Sequence, residues 1–85
     1  MRVAVASALR SYTQNREHVT GAGDTVDGLL RDLDRSFPGI RFRIVDEQER
    51  IRVHIRIFVN RELADLRHKL RESDEVQILC ALSGG

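Results

Sequence analysis

One cysteine, three histidines, a single lysine and a closing pair of glycines are the residues through which this 85-residue chain could do chemistry. Cys80 lies close to the end of the sequence. With a depressed pKa its thiolate could accept an acyl group or enter a mixed disulfide; at the end of an apolar strand, a cysteine equally serves as a small buried side chain, which is the expectation here. Alone, it can form neither an intramolecular disulfide nor a zinc or iron-sulfur site. His18, His54 and His68 are scattered without metal-ligand spacing, and His54 reads as a solvated or partner-facing imidazole on the polar face of a strand. Ser7, Ser36 and Asp46 show no triad pattern. No enzyme activity is therefore expected of the isolated chain. What remains is the closing stretch "LCALSGG", an apolar run followed by Ser83, Gly84 and Gly85. Glycine loses more conformational freedom on ordering than any other residue and has no side chain to pack. Such an ending suits a projecting arm better than a packed element.

Elements must position that arm. Eighty-five residues make one domain with one hydrophobic core. The 14 basic and 13 acidic residues nearly cancel, and no basic block stands apart, so nucleic acid is not an expected partner. Only Lys69 among the basic residues is lysine; the rest are arginine. The opening "MRVAVASAL" imitates a signal peptide, but Ser7 and Arg10 interrupt its apolar stretch too early. No run approaches the roughly 20 apolar residues of a membrane span. A single cysteine and no leader point to the cytoplasm.

Alternation in "RVAVAS" predicts a first strand, and His18 to Gly21 is long enough for a second, returning as a hairpin. In "DTVDGLLRDLDRSFPG", Val26, Leu29, Leu30, Leu33 and Phe37 form one stripe of an amphipathic helix. Thr25 or Asp24 can cap its start, Asp27 complements the positive end of its dipole, and Pro38 and Gly39 end it. Gly28 in its first turn implies close approach to a neighbouring strand. "IRVHIRIFV" predicts a long strand from Ile51 to Val59, with Ile51, Val53, Ile55, Ile57 and Val59 on one face and Arg52, His54, Arg56 and Phe58 on the other. A turn at Asn60, an irregular stretch carrying Leu63, Leu66 and Leu70, and a last strand from Val76 to Leu82 complete the chain.

One helix laid across one face of a small mixed sheet gives every apolar stripe a common core. That arrangement is an α+β β-grasp, here with residues 1–82 as the domain and 83–85 as a projecting tail. The whole chain resembles the MoaD/ThiS group of ubiquitin-like sulfur carriers, most of all its CysO-type branch. The resemblance rests on "LRSYT" after the first strand, "GDTVDGLLRDLDRSFPGIR" across the helix, "FVN" closing the long strand, "SDEV" before the last one, and the terminal "SGG". Two departures are visible: Leu79-Cys80-Ala81-Leu82 stands where many relatives have prolines, and the turn after Asn60 lacks the glycine often found there.

The resemblance implies a carrier whose reactive group is the Gly85 carboxylate. A ubiquitin-activating-type enzyme would adenylate it, supplying the ATP and magnesium, and a sulfur donor would convert it to a thiocarboxylate. The carrier itself would bind no cofactor. Gly84 and Gly85 would thread a narrow channel, with Ser83 just outside, before an acceptor biosynthetic enzyme took the sulfur. Alternatives are a ubiquitin-like modifier joined through Gly85 to lysines of other proteins, and a plain β-grasp binding module. The helix can cover only one face of the sheet, which leaves Phe58 and Leu79 on the other, with Ala4 and Ala6 as small neighbours and Arg52 and Arg56 at the side. That face is expected to dock the adenylating and acceptor enzymes in turn, the arginines meeting partner carboxylates.

Overall fold

The computed structural model describes residues 1–81. Alternating apolar residues build strands β1 (Arg2–Val5), β2 (His18–Thr20), β3 (Ile55–Val59), β4 (Glu62–Leu63) and β5 (Glu75–Cys80), with helices α1 (Val26–Ser36) and α2 (Ile40–Ile44) between β2 and β3. One sheet runs in the order β2-β1-β5-β3-β4. The central pair β1 and β5 is parallel, and the other pairs are antiparallel. Val3, Val5, Ile55, Ile57, Val59, Val76 and Ile78 are buried on one face of this sheet, in the same core as Val26, Leu29, Leu30 and Leu33 of α1. This is the mixed-sheet β-grasp architecture that the apolar pattern requires.

The start of α1 shows why the helix begins where it does. Thr25 accepts from the Gly28 N–H at 3.1 Å, and the N–H groups of Val26 and Asp27 donate to the carbonyls of His68 and Leu66, both at 3.0 Å. The irregular 64–70 stretch thus satisfies donors that a helix leaves open. The close approach lies at Gly23 in the loop after β2, where a Cβ would come within 2.4 Å of the Leu29 nitrogen; Gly28 faces that loop and not a strand.

Three elements differ from the sequence expectation. A second helix follows the first: Gly39 adopts φ 97°, and Asp34 Oδ1 accepts from the N–H groups of Gly39 and Arg41, so the chain turns back into helix and buries Ile40 and Ile44. The long strand is also shorter than its alternation implies. Ile51 pairs with Val45 in an isolated bridge, the Arg52 N–H donates to the Ile44 carbonyl at 2.9 Å, and a turn closes from the Ile55 N–H to the Arg52 carbonyl. The end of α2 recruits residues 51 and 52, and Val53, expected on the core face, is instead 85% exposed at the turn. β4 was expected only as irregular chain; Asn60 and Arg61, at φ 49° and 71°, form the two-residue turn that pairs it with β3.

Candidate docking face and C-terminal exit

β5 ends beside the turn before β3, where the Ala81 N–H donates to the His54 carbonyl at 2.7 Å. Ser83, Gly84 and Gly85 lie outside the described residues. Cys80 pairs with Ile55 and falls on the same side of β5 as buried Val76 and Ile78. It packs half-buried against the core, and burial pushes its thiol pKa up, only partly opposed by the charge of Arg43. Its surroundings favour the thiol over the nucleophilic thiolate.

The face away from α1 follows from strand register. Leu63, Phe58, Gln77, Ala4 and His18 form one cross-strand row, and Arg56 stands opposite Leu79 in the next. Leu79 is 42% exposed and Leu63 64% exposed, while Phe58 between them is half-buried. Leu63 is the member that sequence reasoning missed. Its signal is the turn itself: two residues at Asn60 and Arg61 restore alternation and set Leu63 directly across from Phe58.

The two arginines are held differently. Arg56 lies in β3 on the open side, and its Nη1 donates to the carbonyls of Val53 at 2.6 Å and Ile55 at 3.0 Å. Arg52 is not on the strand. Its guanidinium carbon lies 4.8 Å from the centre of the Phe42 ring, and its Nε donates to the Phe42 carbonyl at 2.8 Å, which ties it to α2. The structure therefore joins Phe58, Leu79 and Arg56 on one face and assigns Arg52 to the neighbouring turn. His54 is exposed in that turn and not on a strand, His18 is exposed on β2, and His68 is half-buried in the 64–70 stretch. Among the described residues, no group of three or more His, Cys, Asp or Glu side chains could hold a metal ion. No helix among them is long and apolar enough to cross a membrane.

This sheet, with an open face beside the departing β5, has clear counterparts among known proteins. The ThiS family model matches residues 3–85. The chain belongs to the ThiS family. It is 30% identical to sulfur carrier protein CysO of Mycobacterium tuberculosis over 89 aligned residues, covering 98% of this chain and 96% of the relative. Among solved structures, a chain of the Amycolatopsis orientalis BexX/CysO complex superposes with a TM-score of 0.91 at 30% identity, covering 99% of this chain and 98% of that one. Small archaeal modifier protein 1 of Methanosarcina acetivorans gives a TM-score of 0.81 at 26% identity, over 99% and 94% of the two chains. The chain is thus similar both to CysO carriers and, at lower identity, to an archaeal modifier.

Proposed function

We propose that this ThiS-family chain is a sulfur carrier of the CysO type, charged at the Gly85 carboxylate. The observation that carries the reading is full-length similarity to CysO, with the family match running through Gly85. A carboxylate is a poor electrophile. Its oxygen attacks the α-phosphorus of ATP held with magnesium on a ubiquitin-activating-type enzyme, pyrophosphate leaves, and the acyl-adenylate gains a good leaving group. A donor delivering sulfur at the sulfide level attacks that carbonyl, AMP departs, and a thiocarboxylate remains. An acceptor enzyme then uses it to place sulfur in a small metabolite. Gly84 and Gly85 leave room in the channel to the nucleotide, and Ser83 stays at its mouth. The chain contributes no catalytic side chain and binds no cofactor of its own. A reducing cytoplasm fits its single thiol.

Docking falls to the open face, where Phe58, Leu63 and Leu79 supply apolar area and Arg56 a charge-assisted contact. The modifier reading, in which Gly85 is joined to lysines of other proteins, draws on the similarity to small archaeal modifier protein 1. Intact mass of the protein from its native host separates the two. A gain matching replacement of one terminal oxygen by sulfur supports the carrier; a set of higher-mass lysine conjugates supports the modifier. Deleting Gly85 should abolish ATP-dependent adenylation by the activating enzyme while the circular dichroism spectrum stays the same. Undiminished adenylation after that deletion rejects both.

A further inference from the structure

The turn before β3 breaks the strongest strand pattern in the sequence, and what it exposes is consistent in kind. Val53 is 85% exposed at the turn, and Phe42 of the adjoining α2 is 59% exposed. Arg52 stacks on Phe42 and Arg56 reaches back under the turn to the Val53 carbonyl, so both guanidiniums are fixed before any partner arrives. Neither is in an ion pair among the described residues, where the ion pairs belong to Arg10, Arg31, Arg35 and Arg41; the Asp46 carboxylate feels the charge of Arg52 but forms no ion pair with it. A segment that abandons favourable strand pairing to present an aliphatic side chain between two anchored cations departs from the local consistency expected of a purely structural turn.

We propose that the surface formed by Phe42, Arg52, Val53 and Arg56 is a docking site for an acidic segment of a partner protein, in which carboxylates flank an aliphatic residue. Charge complementarity selects the carboxylates. Planar guanidiniums held by carbonyl oxygens keep their remaining N–H groups for bidentate pairing, with little side-chain entropy left to lose. Val53 supplies the apolar contact between them. Nucleic acid fits less well, because Arg52 already covers one face of the only exposed aromatic ring in the group and the chain carries a net charge of only +1. The Ala81 hydrogen bond to His54 puts this surface beside the C-terminal exit. Under the carrier reading, on which only the partner's identity rests, the segment belongs to an enzyme that handles Gly85. The turn then adds a mainly ionic docking surface beside the mainly apolar sheet face, with Arg56, opposite Leu79, at the border between them.

The test is an NMR titration of the full-length, isotope-labelled chain with a synthetic peptide, acetyl-Asp-Glu-Leu-Glu-Asp-amide, following backbone amides and arginine Nε–H signals. Saturable shifts confined to residues 42 and 52–56 are expected, weakening as salt rises. Val53→Asp, at a solvated position, should keep the native spectrum and weaken binding at least five-fold, as should Arg52→Gln. Leu79→Ser should leave the affinity within two-fold. Absence of saturation, shifts centred on other arginines, or tighter binding of an oligothymidylate of similar length would overturn the proposal. Adenylation of Gly85 plays no part in this readout, so it fails or succeeds independently of the carrier reading.

Discussion

Beneath α1, two guanidiniums and two carboxylates close on one another, whereas at the turn before β3 two more guanidiniums are held only by carbonyl oxygens and an aromatic ring. Asp27 accepts from Arg41 at 2.7 Å and from Arg31 at 2.9 Å, and both arginines also reach Glu49. Arg41 is 17% exposed, and its Nε is buried without a hydrogen-bond partner. That cluster fastens the 46–50 loop to the helix layer, and every charge in it is answered from within the chain. Among the described residues neither Arg52 nor Arg56 is in an ion pair; Arg52 feels only the charge of Asp46. Arginine is thus used in two ways: where the fold needs a fastening, it is paired with carboxylates of its own chain; where a surface is left for others, it is oriented and left open.

The comparison breaks most visibly where burial is deepest. Leu30→Ala, in the fully buried stripe of α1, should cost about 3 kcal/mol in urea unfolding, since truncating a fully buried side chain loses its burial and leaves a cavity. A loss below about 1 kcal/mol would mean that the layer is looser than its packing indicates. Asp27→Asn should cost about 2 kcal/mol near neutral pH, because it leaves Arg41 covered and short of its nearest carboxylate. Burial would raise the Asp27 pKa, but the hydrogen bonds from Arg41 and Arg31 outweigh it and hold the folded-state value below the ordinary 3.8. A carboxyl whose pKa is depressed by folding stabilises fully above its unfolded value and loses that contribution as pH falls through the folded one. The gap between wild type and Asp27→Asn should therefore be constant from pH 5 to 7 and close as acid is added below about 3.8; a gap that widens in acid would contradict the pairing.

A smaller effect of opposite sign is expected at the hairpin. Arg61 holds φ 71° where glycine is at ease, so Arg61→Gly should stabilise the protein by about 0.5 kcal/mol, the relief of a left-handed side chain being partly offset by a freer unfolded chain. Smallest of all is the change at the open face. Leu79→Glu should move stability by less than about 0.5 kcal/mol while weakening capture by the adenylating enzyme at least ten-fold in a pull-down with purified components. Equal losses in both measurements would make Leu79 a structural residue.

The same contrast governs what was legible in the sequence. The α1 stripe and its Thr25 cap could be read directly, because helix period and capping are local properties, and so could the core faces of β1, β5 and the second half of β3. The stretch 40–54 could not. "IRFRI" alternates as a strand would, yet Gly39 in a left-handed conformation and two hydrogen bonds from Asp34 turn it into helix. Alternation at 51–54 likewise promises a strand, but its backbone is claimed by Ile44 and Val45, partners that only the folded chain brings near. Arg52 was misplaced for this reason, and Leu63 was missed because a two-residue turn without glycine hides the short β4.

The order of strands also has a kinetic meaning. β5 lies between β1 and β3, so before it is in place the sheet consists of two separate hairpins, β1 with β2 and β3 with β4. Neither hairpin is stable by itself in water, and the parallel pairing of Arg2–Val5 with Glu75–Ile78 is among the most distant contacts the chain can make. The sheet therefore cannot close on the ribosome until β5 has emerged. The Ala81 anchor to His54 forms only when that strand docks, so it marks chains whose sheet is already closed.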